Sequence, residues 1–281
     1  MSKKKILYKA LALSYGTYFN GLARFSENLA AERAFQLFST PRKGRVLPHQ
    51  EAFLKNALDK RVAVNGTDIQ TYRWPGDRET VLLLHGWESN VFRWRNLIEK
   101  LREADFNIIA FDAPGHGYSE GKLLNLANYS ESARHLIELY RPKHIIGHSM
   151  GGLTMLYVHS RNPQFPIEKL VSLGAPAELS ELLGHYQKLL KFNNRVLRGL
   201  DNHFYKLYDC KISDISTPAF AREISRPGLI VHDELDPITP FSASIRLHEG
   251  WKNSELIKTT GLGHSLHQEA VNKRISDFLK Y

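Results

Sequence analysis

A serine set midway between two glycines, Gly147-His148-Ser149-Met150-Gly151, follows the short apolar run 144–146. A serine hydroxyl is a weak nucleophile at neutral pH; it needs an adjacent base and a backbone that pushes it forward. Glycines two residues to either side remove the side chains that would collide where a strand turns sharply into a helix, so the spacing answers a steric demand. The chemistry this allows is attack of an activated hydroxyl on an electrophilic carbon.

The flanking sequence supplies the elements such a turn requires. Arg141-Pro142 ends whatever helix precedes it, the run 144–146 is short and β-branched, and from Met150 the residues Leu153, Leu156 and Tyr157 recur at helical spacing as far as Asn162-Pro163. Elsewhere, 61–64 and 69–74 flank Asn65-Gly66 as a predicted hairpin. Predicted strands at 81–84, 107–111, 144–146, 170–173, 229–231 and 256–259 alternate with or precede predicted helices at 92–103, 130–140, 150–161, 241–248 and 268–279. Apolar strands alternating with helices imply a mostly parallel sheet of about eight strands covered on both faces. Ligand sites in such sheets form beyond the carboxyl ends of the strands. Two stretches that carry ionisable groups lie there: His232-Asp233-Glu234-Leu235-Asp236-Pro237 after 229–231, and Gly261-Leu262-Gly263-His264-Ser265 after 256–259.

The 281 residues, 42% of them hydrophobic, are enough for one large core. The single cysteine, Cys210, cannot form an internal disulfide and lacks the partners of a metal site, which favours a reducing compartment; no cofactor and no metal are expected. The net charge of +9 is unevenly placed. Residues 1–61 hold 12 of the 38 Lys and Arg against 4 of the 29 acids, a net of +8, whereas the other 220 residues are nearly neutral. A nucleic-acid partner is not expected, because the body shows no basic groove in sequence.

The arm over residues 1–60 carries Leu7, Leu11, Tyr15, Tyr18, Leu22, Phe25 and Leu29 at alternating steps of three and four, one face of a helix. Behind the basic tip Lys3-Lys4-Lys5, this stripe could cover the protein's own body, a second copy of the chain in a homodimer, or an anionic membrane surface. The first two are favoured, since most amphipathic helices pack on protein. Lys9, Asn20 and Arg24 interrupt the stripe, which makes it too short for a membrane span and poor as a signal peptide, so a cytoplasmic protein with at most peripheral membrane attachment is expected.

With these motifs in this order, residues 60–281 resemble the α/β-hydrolase family, whose catalytic residues run serine, acid, histidine along the chain. The resemblance implies Ser149 as nucleophile, His264 as general base, and Asp236 as the carboxylate that orients the imidazole and stabilises its cation. Asp233 competes for that last role, but the family has glycine at its position and its acid at that of Asp236. His267 reads as a surface residue on the following helix. The resemblance also implies an oxyanion hole from the backbone N–H groups of Met150 and Trp87, the latter in the loop His85-Gly86-Trp87-Glu88-Ser89-Asn90, where many relatives carry glycine at the position of Ser89. Asp112, in Phe111-Asp112-Ala113-Pro114-Gly115-His116-Gly117, shapes a turn.

The insertion at about 177–225, rich in leucine and aromatics, corresponds to the family's helical cap, giving a domain plan of an arm over 1–60 and a capped hydrolase domain over 61–281. The resulting expectation is a serine hydrolase cleaving a carboxylic ester of a small or medium apolar acid, a small-molecule substrate. Thioesters, amides, N-terminal peptide bonds and carbon–carbon bonds stay open within the family, as does a ligand receptor or scaffold on the same fold. Haloalkane dehalogenases and epoxide hydrolases are disfavoured, because they place aspartate at the position of Ser149.

Overall fold

A computed structural model describes residues 3–281, with side chains from Leu7 onward; the side chains of Lys3, Lys4 and Lys5, the predicted basic tip, lie outside the described part. The strands are β1 (Leu58–Val64), β2 (Thr67–Trp74), β3 (Arg78–Leu84), β4 (Phe106–Phe111), β5 (His144–His148), β6 (Lys169–Leu173), β7 (Gly228–Asp233) and β8 (Ser254–Thr259). The helices are α1 (Lys3–Phe25), α2 (Glu27–Ser39), α3 (Pro48–Leu54), α4 (Arg95–Glu103), α5 (Leu126–Tyr140), α6 (Met150–Arg161), α7 (Leu179–Leu190), α8 (Asn194–Tyr208), α9 (Thr217–Arg222), α10 (Ser242–Gly250) and α11 (Glu269–Lys280). They divide into two compact units, one of Pro41–Ala177 with Thr217–Tyr281 and one of Met1–Thr40 with Glu178–Ser216.

The first unit is built on a single eight-stranded sheet in the order β1-β2-β4-β3-β5-β6-β7-β8. Only β1 with β2 and β2 with β4 pair antiparallel; from β4 through β8 every pairing is parallel. The central strands are buried at nearly every position because helices cover both faces. One such layer joins Leu83, Ile108, Ile146, Val171 and Leu229 to Leu97 and Leu101 of α4 and to Val271 and Ile275 of α11, all buried. Parallel register aligns the strand ends: Leu84 of β3 sits beside Gly147 of β5, and Leu173 of β6 beside His148. The loops after β3, β5, β7 and β8 therefore emerge at one edge.

Two helices begin differently from the sequence expectation, each because of a cap. The predicted helix 130–140 starts at Leu126, where Asn125 accepts from the Asn128 N–H and the Asn128 side chain accepts from the Asn125 N–H. The predicted helix 92–103 is a 3-10 turn, Val91–Trp94, capped by Asn90 and followed by α4.

In the second unit α1 packs on α2, α7 and α8, and α2 on α8. Ser26 ends one helix and caps the next, accepting from the Leu29 N–H. The buried face of this pair is Gly16, Phe19 and Ala23 on α1 with Ala30, Ala31 and Ala34 on α2, and it is offset from the predicted stripe. Leu7 is 70% exposed and Phe25 92%, and Leu11, Tyr18 and Leu29 are also exposed. Small residues set the contact because they let backbones approach: a Cβ on Gly16 would run into the Leu190 carbonyl oxygen of α7. No helix among the described residues is long and apolar enough to cross a membrane.

Candidate active site

Ser149 is the residue between β5 and α6, and it holds φ 53° and ψ −119°. A non-glycine residue in that region is strained by about 1–3 kcal/mol, and it persists where its surroundings over-determine it. Here the Ser149 N–H donates to the Leu173 carbonyl at 2.8 Å, and both glycines are sterically required. A Cβ on Gly151 would run into the Leu84 carbonyl oxygen, and one on Gly147 into the Gly151 carbonyl. The turn therefore projects a half-buried hydroxyl at the carboxyl edge of the sheet.

Beyond β7 and β8 the structure brings Asp236 and His264 together. The Asp236 carboxylate is fully buried, and its Oδ2 accepts from His264 Nδ1 at 2.7 Å. That bond leaves His264 Nε2 without a hydrogen-bond partner among the described residues. Oδ2 also accepts from Thr239 Oγ1 at 2.9 Å and lies 3.3 Å from His232 Nε2, while Oδ1 accepts from the N–H groups of Ile238 and Thr239. Burial raises the proton affinity of Asp236, but donation from His232, His264 and the two backbone groups outweighs it and holds the carboxyl well below the usual carboxylate range. Asp233 does something else. Its Oδ1 accepts from Leu235 N–H, and its Oδ2 from Thr259 Oγ1 and Leu262 N–H, tying the β7 loop to the segment that carries His264.

No hydrogen bond joins Ser149 to His264 among the described residues, and such contacts are often loose without substrate. What fixes their neighbourhood is His148. Its Nε2–H donates to the His264 carbonyl at 2.8 Å, with the two rings 4.8 Å apart, so the residue before Ser149 grips the backbone of His264. His148 Nδ1 is buried with no partner among the described residues, and burial, then Arg93 and His264, push the ring's proton affinity well down, leaving it neutral.

The loop after β3 comes against the same turn. A Cβ on Gly86 would lie 2.8 Å from His148 Nδ1 and 3.0 Å from Ser149 Cβ. Neither the Trp87 N–H nor the Met150 N–H has a hydrogen-bond acceptor among the described residues, and the latter opens α6, where the helix dipole favours negative charge. Glu88, not a glycine, takes the positive φ of this loop, and its N–H donates to His116 Nε2 at 3.0 Å. His85 Nε2 accepts from the Ala113 N–H, and buried Asp112 accepts from Val91 N–H, Tyr118 N–H and Tyr72 Oη. These groups hold the loop, and Asp112 lies among them as a turn-shaping residue.

Several of these positions are silent in the sequence. His85, His116, His148, His232 and Thr239 lie in or beside the quoted motifs, but nothing in those motifs assigns them a partner, and only strand register could have pointed to one. His267 is exposed and precedes α11 rather than lying on it. The expected absence of a basic groove in the body needs correction: Arg42, Lys43 and Arg45 of the predicted arm belong to the sheet unit and line one cavity with Arg93 and Arg95. Charge counted along the chain missed this, because the two segments lie about fifty residues apart. Among the described residues no cluster of three or more His, Cys, Asp or Glu is arranged to hold a metal ion.

Comparison with known proteins places this architecture. Residues 79–204 match the model of the alpha/beta hydrolase fold, and residues 203–281 match that of TAP-like proteins. The chain belongs to the α/β-hydrolase family. This hydrolase is 26% identical over 269 residues to the uncharacterized hydrolase YugF of Bacillus subtilis, covering 79% of the chain and 97% of that protein. It is also 26% identical over 285 residues to the serine hydrolase BPHL of Mus musculus, covering 89% and 97%. Among solved structures, Est1E from Butyrivibrio proteoclasticus, determined with ferulic acid bound, superposes on 79% of the hydrolase and 98% of its own chain with a TM-score of 0.64 at 18% identity, a likeness of fold.

Proposed function

We propose that this hydrolase cleaves a carboxylic ester of a small or medium apolar acid through an acyl-enzyme on Ser149. The observation that carries the reading is the 2.7 Å contact between His264 Nδ1 and buried Asp236, at the strand edge where Ser149 holds its positive φ. In the first step His264 Nε2 takes the Ser149 proton as Oγ attacks the carbonyl carbon, and Asp236 stabilises the imidazolium. The N–H groups of Trp87 and Met150 receive the oxyanion. Collapse expels the alcohol, which takes the proton from His264. Water, deprotonated by the same imidazole, then attacks the acyl group and releases the acid and free Ser149. A chain with one cysteine suits a reducing compartment, and we place the protein in the cytoplasm.

The reading is tested with 4-nitrophenyl esters of graded acyl length. Release of nitrophenol with a burst stoichiometric with enzyme, and a maximum in kcat/KM at short or medium chains, is expected. Absence of release from every ester in the series would overturn it.

A further inference from the structure

Beside the oxyanion loop lies a cavity of about 650 Å³ lined by Arg42, Lys43, Arg45, Arg93 and Arg95. Among the described residues none of the five pairs with a carboxylate. Arg45 is committed to structure, its guanidinium donating to the carbonyls of Gly117, Ser119 and Gly121. Arg93 donates to the Ser265 carbonyl at 3.1 Å and lies 4.4 Å over the Trp94 ring, and Arg95 lies 4.7 Å over that of Phe92. Those contacts orient two guanidiniums without neutralising them. Among the described residues the one acid lining the cavity is Glu88, whose carboxylate accepts from the Arg42 backbone N–H.

Arg42, Lys43 and Arg45 are exposed and Arg93 and Arg95 half-buried, so these like charges repel one another across a partly solvated cavity and together attract an anion placed among them. Arg93 registers that field: burial and then Arg95 lower its proton affinity, though a guanidinium stays charged at any physiological pH. The cluster is also held in place: Asn90 Nδ2 donates to the carbonyls of Gly44 and Arg45, and the Gly117 N–H donates to Gly44.

The cavity shares its walls with the catalytic loops. Glu88, Ser89 and Asn90 follow directly on Trp87, and Arg93 grips the residue after His264. We infer that this basic cavity is a subsite for a negatively charged group, carboxylate or phosphate, on the leaving portion of the substrate. Arginine forks suit both anions, because each accepts two parallel N–H bonds. The inference rests on the ester-hydrolase reading above, which assigns the apolar portion to the acyl group and so leaves the charge to the alcohol.

Three phenyl acetates separate the possibilities: 3-carbamoylphenyl acetate as the neutral reference, 3-carboxyphenyl acetate, and 3-(phosphonooxy)phenyl acetate. At low ionic strength at least one anionic ester should exceed the neutral one about tenfold in kcat/KM, by an advantage that shrinks with added salt. The favoured anion identifies the group. Arg95→Gln and Arg42→Gln should each reduce the ratio of anionic to neutral kcat/KM severalfold, and Lys43→Gln serves if either fails to fold. Equal turnover of all three esters, with ratios untouched in the variants, overturns the inference. Equilibrium binding of phenyl phosphate to the full-length protein answers the same question without turnover. Binding that weakens in Arg95→Gln and Arg42→Gln supports the subsite even if no ester is cleaved, whereas absence of binding contradicts it. Failure of the esterase reading would leave that binding intact.

Discussion

His264→Ala is expected to lower kcat for ester hydrolysis about 10⁵-fold, a loss of ~7 kcal/mol in transition-state stabilisation. The size follows from the role. In the proposed mechanism, without an imidazole the Ser149 proton has no acceptor at the moment of attack and the leaving alcohol no donor, and the proposed oxyanion donors cannot compensate for either. Structural damage should be small, since His264 is part-exposed and its backbone carbonyl, the group that accepts from His148, survives the substitution. The circular dichroism spectrum and Tm of the variant should match wild type while turnover of 4-nitrophenyl butyrate disappears. Turnover within tenfold of wild type would remove His264 from the mechanism.

The two aspartates of the β7 loop should separate by effect. Asp236→Asn is expected to cost about 10⁴-fold in kcat, because an amide at that position can donate to His264 Nδ1 and so favour the wrong tautomer. Asp233→Asn should be felt mainly as stability. It weakens charge-assisted bonds from Leu235, Leu262 and Thr259, each worth about 1.5–3 kcal/mol, and so lowers Tm with a much smaller effect on kcat. The acid-side behaviour of Asp236 adds a second readout. Its folded-state affinity for the proton is depressed, so its contribution to stability is complete above the unfolded carboxylate value of about 3.9 and fades as pH falls below it. Urea unfolding from pH 7 to pH 3 should therefore show less acid destabilisation in Asp236→Asn than in wild type. Equal kcat losses in the two variants would contradict this division of labour.

The residues that could do chemistry were legible because each follows a strand, and parallel strands gather their carboxyl ends at one edge. Ser149 and its glycines announce a steric requirement, which the positive φ and the close approach of Gly151 to Leu84 explain. The supporting layer was not legible. His148, His232, His85 and Thr239 act through bonds to residues 3 to 116 positions away, and nothing in their local sequence encodes those partners. The face that α1 packs within its unit was hidden for a related reason: close approach rather than size sets it, and α1 buries Gly16, Phe19 and Ala23 while Leu7, Leu11, Tyr18 and Phe25 of the stripe are exposed. Charge counted along the chain likewise separated Arg42 and Lys43 from Arg93 and Arg95, which the fold places around one cavity.

Whether Ser149 is the nucleophile is tested most directly by treating the full-length protein with a fluorophosphonate and locating the adduct by peptide mass. One equivalent should attach, on the peptide bearing Ser149, with loss of ester hydrolysis in proportion to labelling, and Ser149→Ala should take up none. Labelling at another residue, or labelling that survives Ser149→Ala unchanged, would contradict the assignment.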